Sequence, residues 1–172
     1  KHEVTEYNTT VIKTDSLDTE DWIYCVVFAC LIQAFHNIGF FRAVAIYLNN
    51  EKNIAYRTLY SDILGYAFDN PHTAIGGVVS LINGFAKGMA TGKNPWAVPC
   101  EPLGDICWQF DEIFFMKSLE KADEIYDELE AFVARKYCGD NELAEVFRYQ
   151  RDILKRTGSV KSCVTSEYDF YS

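Results

Sequence analysis

Cysteine and histidine are the side chains best suited to hold a metal or attack an electrophile, and this chain of 172 residues has six of the first and three of the second. Cys25, Cys30, Cys100, Cys107, Cys138 and Cys163 are spread over the whole length with no CxxC and no CxxxCxxC spacing. They read as free thiols in a reducing cytoplasm, two of them serving as small apolar residues on one helix. His36 shares that helix with Cys25 and Cys30, yet offsets of eleven and six residues put it at least about 9 Å along the axis from either thiol. A nucleophile needs its base within hydrogen-bond reach, so no self-contained catalytic pair is legible. A helical di-iron site requires acidic-x-x-His on two helices, and the sole match, Asp69 to His72, runs across Asn70–Pro71. Asp123, Glu124, Asp127 and Glu128 place carboxylates on adjacent turns, where a solvated helix face is the plainer reading than ligation. The IGGVVS stretch has two glycines but no preceding strand and no GxGxxG.

Two polar clusters remain. Gln33, His36 and Asn37 close an otherwise dry helix, and Tyr149, Gln150 and Arg151 lie together on the last long helix. A buried polar group must find a partner. These groups either bond loop carbonyls and neighbouring helix ends or face a cleft at the edge of the domain.

The element that must position them is Trp22–Phe41, WIYCVVFACLIQAFHNIGFF. A helix apolar all the way round belongs inside a core, and this one is too soon interrupted for a membrane span. Asp18 reads as its N-cap, with Glu20 and Asp21 on the first turn, and Gly39 as the residue just past its end. Further helices are expected over Phe41–Asn49, Ile54–Phe68, Pro71–Thr91, Trp108–Tyr137 and Asn141–Arg156, with Asn70 and Asp140 as caps. The helix from Pro71 carries Gly77, Ser80, Gly84 and Gly88 in one stripe, expected to receive either another helix of this domain, the favoured reading, or a neighbouring domain. Gly92 to Gly104 is the one long irregular piece and holds Trp96; loops of this kind often face partners or substrates. Residues 4–14 and 160–171 are strand-like. The fold class is therefore mainly α, an irregular or orthogonal bundle of about five to six helices around a central apolar helix over 19–38. A small two-stranded β element formed by the N- and C-terminal segments completes it. The organisation expected is one helical domain over 1–172. Both ends lie in strand-like sequence, as if cut from a longer polypeptide, and exposed terminal strands would offer a route to self-association.

The totals exclude several classes. The net charge is −9, with 49% hydrophobic and 15% aromatic residues, so disorder is not expected. No run of Lys and Arg offers itself to a phosphate backbone or to an anionic membrane surface. Nucleic acid and membrane are thus not expected among the partners.

Four segments in sequence carry a resemblance: DTEDWIYCVVFACLIQAFHNIGF, AYRTLYSDIL, ICWQFDEIFFMKSLEKADEIYDELEAFV, and ELAEVFRYQRDILKR leading to EYDFYS. Together they resemble the helical C-terminal region of cobalamin-binding radical SAM proteins of the Fe–S oxidoreductase type. The signature positions are Trp22, Gln33, His36, Trp108, Tyr149 and Gln150. The resemblance implies an accessory C-terminal domain that packs on or caps a catalytic barrel, or helps to position substrate. The parent would use a 4Fe–4S cluster, S-adenosylmethionine and cobalamin, bound upstream and not by this fragment, and the partners would be upstream domains of the same polypeptide. FDNPHTAIGG has Asp69, His72 and Gly76 at a spacing that departs from the cobalamin module's Asp-x-His-x-x-Gly. The competing expectation is a free-standing cytoplasmic helical interaction module with no catalytic parent.

Overall fold

The carboxylate of Asp18 accepts the backbone N–H of Asp21 at 2.8 Å and opens α1, Thr19–Ile32, whose acidic first turn suits the positive end of a helix dipole. The computed structural model that shows this describes residues 9–101, 104, 106–137, 139–155, 163–166 and 168–169. At its C-terminal end α1 widens into a π-helical turn, Gln33–Asn37, and the N–H of Ile38 reaches back five residues to the carbonyl of Gln33 at 2.8 Å. Gly39 then takes φ +106°, a backbone that L side chains rarely adopt. Beyond it, the N–H of Phe41 returns to the carbonyl of Phe35 at 2.8 Å, and the Phe35 and Phe40 rings stack with centroids 4.8 Å apart. The chain leaves this corner at 89° to its former direction as α2, Arg42–Lys52.

The order then runs through α3 (Tyr56–Asp69), α4 (Ala74–Ala90), β1 (Ala97–Pro99), β2 (Cys107–Gln109), α5 (Phe110–Glu120), α6 (Ala122–Lys136) and α7 (Asn141–Ile153). Among the described residues this makes seven α-helices and one small sheet. One continuous apolar cluster unites the helices, with Val27, Leu31, Phe35, Ile63, Val79, Phe114 and Phe147 fully out of solvent. No single helix among the described residues is long and apolar enough to cross a membrane.

Several expectations need correction. The sheet lies at 97–109, not at the termini: β1 and β2 pair antiparallel with Val98 opposite Trp108. Residues 4–8, 160–162, 167 and 170–171 of the expected terminal strands lie outside the described residues, and the described remainder carries no ladder. Two residues of the described remainder dock by their side chains instead. Ile12 packs on the core, while the Tyr168 hydroxyl donates to Glu51 at 3.0 Å and its ring meets that of Tyr47 edge-on.

The long helix expected over Trp108–Tyr137 is two helices and a strand. Buried Ser118 donates its hydroxyl to the carbonyl of Phe114 at 2.8 Å, an intrahelical bond that bends helices. Lys121 then leaves helical geometry at φ −120°, ψ 26°, and α6 pivots against α4 and α7.

The Asn70 cap is also displaced. Asn70–Pro71–His72 forms a turn, and Thr73 caps α4, its hydroxyl accepting from Gly76 N–H at 3.1 Å. Among the described residues no helix of this domain covers the glycine stripe, for Gly77, Ser80 and Gly84 are exposed. Finally, α1 is not buried all round. Trp22, Ile23, Val27, Cys30 and Leu31 face the core, but Tyr24 is 42% exposed and Cys25 and Ala29 are open to solvent. Sequence hydropathy reports the helix, whereas neighbours on three sides decide how much of it they cover.

Candidate functional site

The exposed side of α1 is one wall of a cleft of about 400 Å³. Trp22, Cys25, Ala29, Cys30 and Gln33 line it at successive turns of the helix, with Val26 beside them. The opposite wall comes from Trp96 in the loop before β1 and from Gln109, Phe110 and Asp111 at the start of α5. The two strands explain this wall. Pairing of Ala97 with Gln109 brings Trp96 beside Phe110, their ring centroids 5.9 Å apart, and Phe85 of α4 stacks behind Phe110 at 5.5 Å. A capping box holds the helix start, since Gln109 N–H donates to the Glu112 carboxylate at 2.9 Å and the Gln109 side chain accepts from Glu112 N–H.

The cleft is mostly apolar, and among the described residues Asp111 is the one charged side chain on its walls. No hydrogen bond or ion pair to the Asp111 carboxylate occurs among the described residues. Its field nonetheless reaches the floor: the Cys30 thiol is pushed up to about 12 by burial, with the Asp111 charge adding to the effect. Cys30 is therefore a protonated, inert thiol, while Cys25 on the same wall is exposed.

The polar π-turn closes one end. Gln33 sits on the cleft wall and its side-chain oxygen accepts from the amide of Asn37. Arg42 fastens the turn by donating to the carbonyl of His36 at 2.6 Å and to that of Asn37. His36 Nδ1 lies 3.1 Å from the Tyr60 hydroxyl, and the ring meets Tyr56 edge-on at 4.9 Å. Burial, and then the Arg42 charge, hold His36 below the ordinary histidine range, so it is neutral near pH 7. Burial above all, with Tyr56 nearby, pushes the Tyr60 hydroxyl far up.

The second polar cluster separates into different tasks. Gln150 is fully buried; its oxygen accepts the N–H of Ala43 at 2.8 Å and its nitrogen donates to the carbonyl of Gly39 at 3.0 Å. One side chain of α7 thus satisfies both the start of α2 and the corner before it. Arg151 pairs with Asp127 at 2.8 Å and Glu130 at 3.1 Å and lies over the Tyr126 ring. Tyr149 lines a wider hollow between α2 and α7. Trp108 is half-buried on β2. Of the candidate residues, only Trp22 and Gln33 meet in the α1 cleft; Asn37 is tied to it through Gln33, while His36 packs on Tyr56 and Tyr60 of α3. The acidic group on α6 also disperses, since Glu128 accepts the N–H groups of Ala74 and Ile75 at 2.7 and 3.0 Å and caps α4.

No spacing in the sequence marks Cys25, Cys30, Gln109, Phe110 and Asp111 as members of one site. Trp96 carried the one usable signal, a large aromatic in a long irregular loop. Among the described residues no group of three or more His, Cys, Asp or Glu side chains converges to hold a metal ion.

Two curated relatives are similar to the chain at a distance. The chain is 26% identical over 161 residues to a 2-(S-pantetheinyl)-carbapenam-3-carboxylate methyltransferase of Streptantibioticus cattleyicolor. It is 23% identical over 161 residues to the cobalamin-dependent radical SAM methyltransferase TokK of Streptomyces tokunonensis. Each match covers 85% of this chain and 24% of the relative, so the chain spans about a quarter of their length. No family model matches the chain.

Proposed function

We propose that this chain is an accessory helical region of a cobalamin-dependent radical SAM enzyme, placed C-terminal to the catalytic parts, where it caps the barrel or positions substrate. The observation that supports this reading is the similarity along 85% of the chain to methyltransferases four times as long. The exposed side of α1, apolar and concave, is the surface this role would use. In such a protein the iron–sulfur cluster, S-adenosylmethionine and cobalamin would supply the methyl-transfer chemistry. The donor set of this chain does not fit the cluster, because no three of its cysteines have CxxxCxxC spacing. The region would be cytoplasmic, with upstream domains of the same polypeptide as its partners.

The reading is tested on the gene. An open reading frame that encodes CxxxCxxC upstream of Lys1 supports it, and a frame that opens at Lys1 overturns it. Anaerobic iron–sulfide reconstitution of the 172-residue chain should give no stoichiometric charge-transfer absorption. A free-standing interaction module is the alternative, favoured by the exposure of Tyr24, Cys25 and Ala29 on α1; the same reading frame separates the two.

A further inference from the structure

The walls of the α1 cleft specify a ligand more narrowly than its volume does. About 400 Å³ lies within the range of small-molecule sites, which are apolar with a few fixed polar groups. Three aromatic residues, Trp22, Trp96 and Phe110, stand among the lining, and the exposed one, Trp96 at 47%, gives the cleft an open aromatic face. Aromatic faces carry negative quadrupole charge and attract cations. The single charged group on the walls is the Asp111 carboxylate, which has no cationic partner among the described residues. Among the described residues no lysine or arginine lines the cleft. Of the cations near the second wall in sequence, Lys117 pairs with Glu120 at 2.9 Å and donates to the carbonyl of Glu101, while Lys93, three residues before Trp96, is exposed and is not part of the lining. An acidic molecule, with net charge −9, further raises the local concentration of cations.

We propose that this cleft binds a small organic amine, its ammonium group at Asp111 and its apolar body between Trp96 and the Trp22–Ala29 side of α1. Charge complementarity selects this occupant: anionic and neutral ligands leave Asp111 unpaired, and a bare metal ion leaves the aromatic walls unused. The Gln33 Nε2 donor, which no described residue accepts, is available to a carbonyl or hydroxyl on the same ligand. The site stands on the geometry of this chain alone and does not depend on a radical SAM parent, so the reading-frame test and the one below fail separately.

The chain has three tryptophans, of which Trp22 and Trp96 line the cleft and Trp108 does not. Their indole N–H signals therefore report the site with an internal control. Titration of the folded chain with 2-phenylethylammonium should shift the Trp22 and Trp96 signals saturably and leave Trp108 in place. The neutral isostere 2-phenylethanol should bind about tenfold more weakly, and Asp111→Asn should bring the amine down to the alcohol's affinity. Ala29→Leu, at an exposed position, should abolish both titrations with the spectrum otherwise unchanged. Alkylation of Cys25 should slow on saturation with the amine. Equal affinity of amine and alcohol, an unaltered amine affinity in Asp111→Asn, or shifts that spare Trp22 and Trp96 would each overturn the assignment. If Asp111→Asn unfolds the chain, amine against alcohol on the unmodified protein still decides.

Discussion

At the scale of single residues, the polar groups of this chain divide by what they satisfy. Gln150 illustrates the structural kind. Its two bonds, to Ala43 N–H and Gly39 C=O, both end on buried backbone, and removing a partner leaves such groups at their full desolvation cost. Gln150→Ala should therefore lose about 2–4 kcal/mol in a denaturant melt, two unsatisfied groups at about 1–3 each with some relief by water. Gln150→Glu should not rescue it, because a carboxylate would face the Gly39 carbonyl with no donor. An unchanged midpoint in either variant would mean the corner is held by something else. His36 illustrates the titrating kind. Its folded pKa is lowered, by burial first and by Arg42 second, so the unfolded chain binds the proton more readily than the folded one. Stability from this residue is then fully present above the ordinary histidine value, about 6.5, and declines as the pH falls below it. His36→Phe should flatten that part of the pH–stability profile, and a profile unchanged below pH 6.5 would contradict the assignment.

Neighbouring glycines on α4 make the sharpest test at the scale of an element. A Cβ on Gly76 would stand 2.0 Å from the carbonyl oxygen of Asn70, whereas one on Gly77 would meet nothing within 4 Å. Glycine inside a helix costs about 1 kcal/mol relative to alanine. Gly77→Ala should thus raise stability by up to about 1 kcal/mol, while Gly76→Ala should lower it by forcing the Asn70–Thr73 turn apart. Thermal melts of the two variants should move in opposite directions; movement in the same direction would mean the turn is wrongly described. The pair also marks the limit of what sequence can say about elements. Caps were legible at Asp18, Gly39 and Asp140, because a cap is a bond between near neighbours; Asp140 accepts from Leu143 N–H at 2.8 Å, as its spacing suggests. Asn70 misled, since Asn-Pro marks a turn as readily as a helix start and Thr73 stood three residues on. The strand-like termini misled for a different reason. Preference for a strand reflects fit to a half-buried pleated surface, and Ile12 and Tyr168 found helices to pack on instead. The break at Lys121 depends on a buried serine whose burial only the fold determines. The cleft was illegible as a site because its walls come from opposite halves of the chain.

For the whole molecule the question is why so apolar a helix as α1 is left partly wet. Its buried side meets α3, α4 and α5, and those three helices cannot also cover the face that carries Cys25 and Ala29. The consequence is that two residues of similar hydropathy on one helix should differ widely in what they contribute. Leu31 is fully buried, and truncating a leucine in a packed interior costs about 2–5 kcal/mol through lost transfer energy and the cavity left behind. Leu31→Ala should show that loss. Cys25 is exposed, and Cys25→Ser should stay within about 0.5 kcal/mol, as surface changes do. Glu124→Ala on the solvated side of α6 should behave in the same way. Thiol chemistry gives an independent check on the same geometry. Cys25 should react with iodoacetamide in the native chain, whereas Cys30, buried and pushed up to about 12, should react only on unfolding. Matching denaturation midpoints for Leu31→Ala and Cys25→Ser, or equal alkylation of Cys25 and Cys30, would show that α1 is enclosed on both sides. The cleft would then be closed, and with it the surface on which both the accessory role and the amine site rest.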